Sequence, residues 1–321
     1  MKHKSNIITF VLAVVLLGSS CTSVITEVST DETHAISFQT PKTRTRAAID
    51  DATDMTDGFS VWGWYRKTDA GPHNVFDGVT VKLDNGSWKY DETQYWIPGW
   101  TYDFYAVHPV FSADGPVASV ASDGTISVTN FDCSKTGAEA IDFMIAQKTG
   151  IPYTGDTPPS PVDLKFGHEL AKVSFVVVTE SGAAFINSNK ANLQGVLYKG
   201  DYSNKNVPIW TNTAAVTDEN VYTNTQLIEA SVRETYLLSE MLLIPQKIGG
   251  VGGQNAVLNI EYHYGNENST RSKSINLTEI EWEAGKSYKY TLTIESDGRI
   301  HFASPTVVPW GEATGGVIII E

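Results

Sequence analysis

The chain has 321 residues and a formal net charge of −14, and 41% of its residues are hydrophobic. It is therefore long and apolar enough to fold around a large core rather than remain disordered. Its acidic surface would repel nucleic acid and anionic lipid, which argues against both as binding partners.

The N-terminal residues have the pattern of a secretion signal. A basic start, "MKHK", precedes an apolar run at residues 7–18 and then "GSSC", which ends at Cys21. The run is too short to span a bilayer comfortably, and small residues directly before a cysteine are typical of a bacterial lipoprotein signal. We therefore predict a signal peptide at residues 1–21 with a lipidated Cys21; an ordinary secretory signal is the alternative. No later stretch is long enough to be a transmembrane helix.

Residues 22–46 are rich in Thr, Ser and Glu and end in the basic stretch "KTRTR" at 42–46. Within them, "HAISFQT" (34–40) alternates apolar Ile36 and Phe38 with polar neighbours, which is the period of a half-buried strand. The basic stretch, taken by itself, is typical of a solvated linker.

From residue 57 onward the sequence predicts short strands separated by turn residues. Asn85-Gly86 between two alternating runs indicates a tight hairpin, and Pro98-Gly99 indicates a turn between two strands. Four prolines within residues 148–163 cannot continue a sheet, so we predict a boundary there. The resulting prediction is an all-β fold of two β-sandwiches, with an N-terminal sandwich at 47–160 and a C-terminal sandwich at 161–321.

The sequence contains no recognisable catalytic or metal-binding motif. It lacks G-x-S-x-G, its histidines lack any paired ligand spacing, and we predict that His108 and His168 are structural. Once Cys21 is lipidated, Cys133 stands alone, so we predict neither a disulfide nor a Cys-rich metal site. Cys133 is predicted to be a small buried apolar residue. We predict no enzyme, no cofactor and no metal.

Tryptophans are the other candidate contact residues. Trp62 and Trp64 lie on one face of a predicted strand, which is typical of a sandwich core. Trp96 and Trp100 flank a turn, so we consider them candidate contacts for a glycan or protein ligand, with core packing as the alternative.

Six segments, in order along the chain, resemble the fimbrillin family of Bacteroidia, the subunits of type V pili. They are "WTYDFYAVHP" (100–109), "AIDFMIAQ" (140–147), "VDLKFGHELAKVSFVV" (162–177), "LLIPQ" (242–246), "YKYTLTIE" (288–295) and "VVPW" (307–310). The resemblance implies two transthyretin-like β-sandwich domains. It also implies a subunit that reaches the outer membrane as a lipoprotein and is cut there by an arginine-specific protease. The cut removes a strand, and a C-terminal strand of another subunit fills the groove.

Carried onto this sequence, the resemblance implies cleavage after Arg46, with Ala47 as the new N-terminus and Arg44 as a competing site. Residues 22–46 become a propeptide, and "HAISFQT" becomes the removable strand. The candidate donor strand is residues 315–321, where Val317 and Ile319 face one way and Ile318 and Ile320 the other. Such an apolar run must be buried somewhere, and the alternative is a last edge strand folded back on its own domain.

The leading functional prediction is a structural subunit of a cell-surface fimbria that supports adhesion. Its expected partners are other fimbrial subunits, the arginine-specific protease, the outer membrane through the lipid anchor, and a host or bacterial surface ligand. The alternatives are a fimbrial tip adhesin and a surface lipoprotein that never polymerises and binds glycan or protein.

Overall fold

The computed structural model describes residues 34–40, 55, 57–180, 184–224, 226–264 and 269–310, and for residues 184–190 it describes the backbone alone. Several predicted site residues lie outside these ranges, and what was predicted for them stays a prediction. They are Cys21, Arg44, Arg46, Ala47, Val317, Ile318, Ile319 and Ile320.

In the first part of the described chain, ten strands form. They are β1 (Phe38–Gln39), β2 (Phe59–Lys67), β3 (Ala70–Asp84), β4 (Ser87–Lys89), β5 (Trp100–His108), β6 (Val117–Val120), β7 (Ile126–Asp132), β8 (Met144–Tyr153), β9 (Val162–Asp163) and β10 (Gly167–His168).

Thirteen more strands follow among the described residues. They are β11 (Ala171–Thr179), β12 (Ala184–Gln194), β13 (Leu197–Ser203), β14 (Ile209–Ala215), β15 (Ile228–Ala230), β16 (Thr235–Leu243), β17 (Gln246–Ile248), β18 (Val257–Tyr264), β19 (Arg271–Asn276), β20 (Ile280–Trp282), β21 (Lys286–Ile294), β22 (Ile300–Phe302) and β23 (Thr306–Pro309). Gly137–Glu139 form a short 3-10 helix. Among the described residues no helix has both the length and the apolar character needed to cross a membrane. The predicted all-β class is confirmed.

The strands form layered sheets. One antiparallel sheet has the order β10-β8-β5-β2-β3-β4, and two others have the orders β16-β11-β21-β22, with β23 also beside β21, and β15-β12-β18-β19. Strands β11 and β21 run parallel, whereas the other neighbours in these three sheets are antiparallel. Two further pairs are short: β1 runs parallel to β9, and β17 runs antiparallel to β20.

A further antiparallel sheet, β14-β13-β7-β6, joins strands from both sides of residue 160. Strands β9 and β10 also lie after that residue, yet they pair with β1 and β8. The predicted boundary at 160/161 therefore separates segments that share sheets, and the division into two domains stays a prediction.

Local sequence explains the hairpins. Asn85 and Gly86 have φ angles of 51° and 79°, the left-handed values that a two-residue type I′ turn requires of both positions. Asp84 and Ser87 pair across this turn at the start of β4, so the predicted Asn-Gly hairpin is confirmed.

Buried side chains form three clusters. One lies between the sheets of β11 and β18, and a second lies beneath β1, β2 and β5 and includes Ile36, Phe38 and Phe59. The third fills the space between the opposite face of β2 and β5 and the sheet of β7 and β13, and includes Trp62 and Trp64. The prediction that these two tryptophans are core residues is confirmed.

Cys133 belongs to the third cluster and is fully buried. Its Sγ donates to the carbonyl of Tyr198 at 3.1 Å, and burial raises the pKa of the thiol to about 12. Because the thiolate is the reactive form, we expect a folded Cys21→Ser chain not to react with a thiol reagent at pH 8. Stoichiometric labelling after denaturation is the control. Rapid labelling of the native protein would contradict the buried placement.

His108 supplies a pH dependence. Its Nδ1–H donates to the carbonyl of Gly58 at 2.7 Å, and burial lowers the pKa of the ring below its ordinary value of 6.5. The unfolded chain therefore takes up the proton first as the pH falls, so stability should decrease below about pH 6.5. We expect His108→Asn, which can still donate to the carbonyl but does not titrate, to lose less stability between pH 7.5 and 5.5 in urea unfolding. Equal losses would contradict this assignment.

Candidate functional site

Residues 34–40 lie between two segments of the chain and hydrogen bond to both. On one side the amide of Ile36 donates to the carbonyl of Gln94 at 2.8 Å, and the amide of Trp96 donates to the carbonyl of His34 at 3.0 Å. On the other side the amides of Val162 and Leu164 donate to the carbonyls of Ser37 and Gln39 at 2.7 and 2.9 Å. Residues 34–40 thus occupy the place of an inserted strand.

The side chains of this segment alternate as the sequence predicted. Ile36 and Phe38 are 1% and 5% exposed and point into the core, whereas Ser37 and Gln39 are exposed. We call the space that these residues fill, between 94–96 on one side and 162–164 on the other, the groove.

Phe38 is held in the groove by aromatic rings. Its ring meets those of Phe59, Phe76, Tyr90 and Phe104 at centroid distances of 6.2, 5.5, 5.9 and 5.7 Å, each in an edge-on arrangement. Such contacts place a positive ring edge against a negative ring face and add to the burial of apolar area. We call these four rings the Phe38 subsite.

Tyr90 also hydrogen bonds to the backbone of residues 34–40. Its hydroxyl donates to the carbonyl of Ile36 at 2.7 Å. Burial raises the pKa of Tyr90, so the hydroxyl keeps its proton for this bond.

A glycine allows the floor of the subsite to form. Gly63 lies on β2, and a Cβ at this position would lie 2.9 Å from Cδ1 of Phe104 and 3.0 Å from Cγ1 of Val75. Phe104 therefore rests against bare backbone, and a larger residue at Gly63 would displace it.

Trp96 corrects a prediction. It is 1% exposed and packs against Tyr102 and Phe104 at centroid distances of 4.6 and 5.8 Å. With residues 34–40 in place it is a core residue beside the groove, not a contact on the surface. The turn signal at Pro98-Gly99 placed Trp96 near a loop but could not reveal which side of the sheet covers it.

Trp100 has a different environment. It is partly exposed, its ring meets Tyr65 and His73 edge-on at 4.9 and 5.3 Å, and Nζ of Lys67 lies 4.3 Å from its centroid. It stays a candidate ligand contact, now as part of a surface patch with Tyr65 and His73.

Trp310, His168 and Asp142 form a second arrangement that no sequence pattern indicates. Trp310 stacks on His168 with centroids 3.8 Å apart and planes at 6°, and Nδ1 of His168 lies 2.9 Å from Oδ1 of Asp142. Nζ of Lys172 lies 5.2 Å from the Trp310 ring. Three of the six segments quoted above meet here, and their order along the chain carried no signal of this contact.

The described residues hold no group of three or more His, Cys, Asp or Glu side chains placed to bind a metal ion. His108 and His168 each have a hydrogen-bond partner, and the structural role predicted for them fits this placement. The groove is therefore the feature whose geometry points most directly to a function.

Solved structures share this fold. A fimbrial protein from Bacteroides vulgatus aligns with a TM-score of 0.59 at 16% identity, over 86% of this chain and 99% of its own. A protein from Bacteroides ovatus, named for a proposed role in cell adhesion, aligns with a TM-score of 0.53 at 16% identity, over 86% of this chain and 96% of its own. At such identities the likeness shows the fold.

The model of the fimbrillin-like family matches residues 45–310. The chain therefore belongs to the fimbrillin-like family, and the resemblance seen in the six segments is confirmed. Among proteins of curated function, none matches the chain.

Proposed function

We propose that the protein is a structural subunit of a cell-surface fimbria that supports adhesion, and that residues 34–40 keep its groove closed until a protease cuts after Arg46. The observation that carries the proposal is the pairing of residues 34–40 on both sides, with Ile36 and Phe38 buried in the core. Family membership supports the fimbrial role and the cell-surface location.

The physical basis is strand addition. Removing residues 34–40 would leave the carbonyl of Gln94 and the amides of Val162 and Leu164 without partners, and would uncover apolar rings around Phe104. A groove of this kind gains backbone hydrogen bonds and buried apolar area when another strand enters it. An empty groove would be an aggregation site, so residues 34–40 protect the subunit if they leave the groove only after the cut.

A cut after Arg46 changes the equilibrium without touching the groove. While the chain is intact, residues 34–40 are tethered to the domain they fill and rebind at a high effective concentration. After the cut they are held by contacts alone, and a competing strand can replace them.

The remaining parts of the proposal follow the same order. Lipidated Cys21 would hold the precursor at the outer membrane. The cut would separate the lipid anchor and residues 34–40 from a mature chain that starts at Ala47. Residues 315–321 would be donated to another subunit. A structural rather than an enzymatic role agrees with the groove being the site.

Mass spectrometry of surface material tests the proposal. We expect the assembled protein to begin at Ala47, and an Arg44→Gln, Arg46→Gln double variant to stay intact and form no detergent-resistant polymer. Lys42→Gln is the matched control and should be processed normally. An intact chain still linked through Cys21 in assembled fimbriae would refute the cleavage step. Polymer unchanged by deletion of residues 315–321 would refute the donor role.

A fimbrial tip adhesin is the second candidate, favoured by the surface patch of Trp100, Tyr65 and His73. A tip protein would be cut after Arg46 but would be incorporated normally without residues 315–321. Its adhesion, not its assembly, would be lost in Trp100→Ala.

A further inference from the structure

We infer that the groove selects a strand with an aromatic side chain at the position of Phe38, and that residues 315–321 of this chain are therefore not its natural occupant. The partner would be another protein whose donor strand has two inward apolar residues, the second aromatic. This inference rests on the proposed function, because it concerns the strand that enters after the cut.

Residues 34–40 show which positions of a bound strand contact the groove through their side chains. Two inward positions, Ile36 and Phe38, are buried, while Ser37 and Gln39 between and beyond them are exposed. The contacts with 94–96 and 162–164 are made by the backbone, which any sequence except proline can supply. Selectivity therefore comes mainly from the two inward side chains, while the partly buried His34, whose ring lies 6.5 Å from that of Tyr153, adds a contact at the end of the segment.

The Phe38 subsite is built for a ring. Four aromatic side chains present faces or edges to Phe38, all with centroids between 5.5 and 6.2 Å away. A β-branched aliphatic side chain has no quadrupole to match these rings, and its shorter reach would leave part of the space unfilled. Phe104 is packed on Gly63 and Trp96, and Phe76 is packed on Phe104 and Tyr90, so these rings have little freedom to close the gap.

The candidate donor segment does not match this requirement. Residues 311–321 read "GEATGGVIIIE" and contain no aromatic residue. Whichever face of the strand turns inward, it presents either Val317 and Ile319 or Ile318 and Ile320. Either pair suits the position of Ile36 but leaves the Phe38 subsite with a side chain of the wrong shape. Residues 315–321 would therefore bind poorly in the groove of another copy of this chain, and the groove would be filled by the donor strand of a different subunit.

Strand displacement from the full chain tests this. The full-length protein is cut after Arg46, which leaves a labelled segment 34–40 bound by contacts alone, and synthetic peptides then compete for the groove. The peptides are residues 34–40, the same with Ser37→Thr or Phe38→Leu, residues 315–321, and the latter with Ile320→Phe or Ile319→Phe. The concentration that displaces half of the label is measured.

We expect Ser37→Thr to compete as well as the parent peptide, because residue 37 faces solvent. Phe38→Leu and residues 315–321 should each need at least about tenfold more peptide, corresponding to about 1.4 kcal/mol. One of the two phenylalanine variants of 315–321 should recover most of that loss.

Two contrary results have separate meanings. If residues 315–321 compete as well as residues 34–40, the aromatic selectivity is wrong while strand exchange stands. If no peptide displaces the label, including residues 34–40 themselves, the groove does not exchange strands and the proposed function fails with it.

Discussion

Replacing Phe38 with Ala is expected to lower the free energy of unfolding of the intact chain by about 3–5 kcal/mol. The substitution removes a side chain that is 5% exposed and empties a space walled by four rings. Because those rings pack on the sheet beneath them, the cavity cannot close fully. Urea unfolding followed by tryptophan fluorescence measures the change.

Gln39→Ala is the matched control for this experiment. Gln39 is the next residue of the same strand but is exposed, so its truncation should change stability by no more than about 0.5 kcal/mol. A loss below about 1 kcal/mol for Phe38→Ala would mean that residues 34–40 do not fill the groove in solution.

Trp310→Ala is expected to have an effect of similar size, about 3–5 kcal/mol. The indole lies flat on His168 with centroids 3.8 Å apart, is 8% exposed, and has the Lys172 ammonium near its face. Removing it exposes the His168–Asp142 pair and opens the contact between segments that are far apart in sequence. Thermal or urea unfolding of the variant measures the loss.

Trp310→Phe separates the ring from the indole N–H. Nε1 of Trp310 has no hydrogen-bond partner among the described residues, so no hydrogen bond is lost with it. A phenyl ring can keep the stack on His168, and we expect roughly half or less of the loss seen for Ala. Equal losses for the two variants would show that the stack is not what stabilises this region.

The two substitutions address separate parts of the molecule. Phe38 reports on whether the groove is filled, and Trp310 reports on the junction that precedes residues 311–321. The four rings around Phe38 are different residues from His168 and Lys172, which contact Trp310, so the effects of the two substitutions should add in a double variant. Strong non-additivity would indicate that the groove and the junction are coupled.

Much of the fold was predictable from local patterns. The Asn85-Gly86 hairpin follows from the left-handed backbone that a two-residue turn needs, and the burial of Trp62 and Trp64 follows from their spacing on one strand face. The alternation of Ile36 and Phe38 was also readable, because strand side chains alternate with period two. Family membership followed from six segments in order.

The sequence by itself thus determined the all-β class, the hairpin and the inward residues of segment 34–40. Only the tertiary structure decided what that segment touches: Gln94 on one side, Val162 on the other, and a ring of four aromatic residues around Phe38. It also placed Trp96 in the core and brought Trp310 onto His168. The physical reason is that periodicity specifies which face of a strand is apolar, whereas the partners of that face come from other strands and loops, here from Phe59 to Phe104.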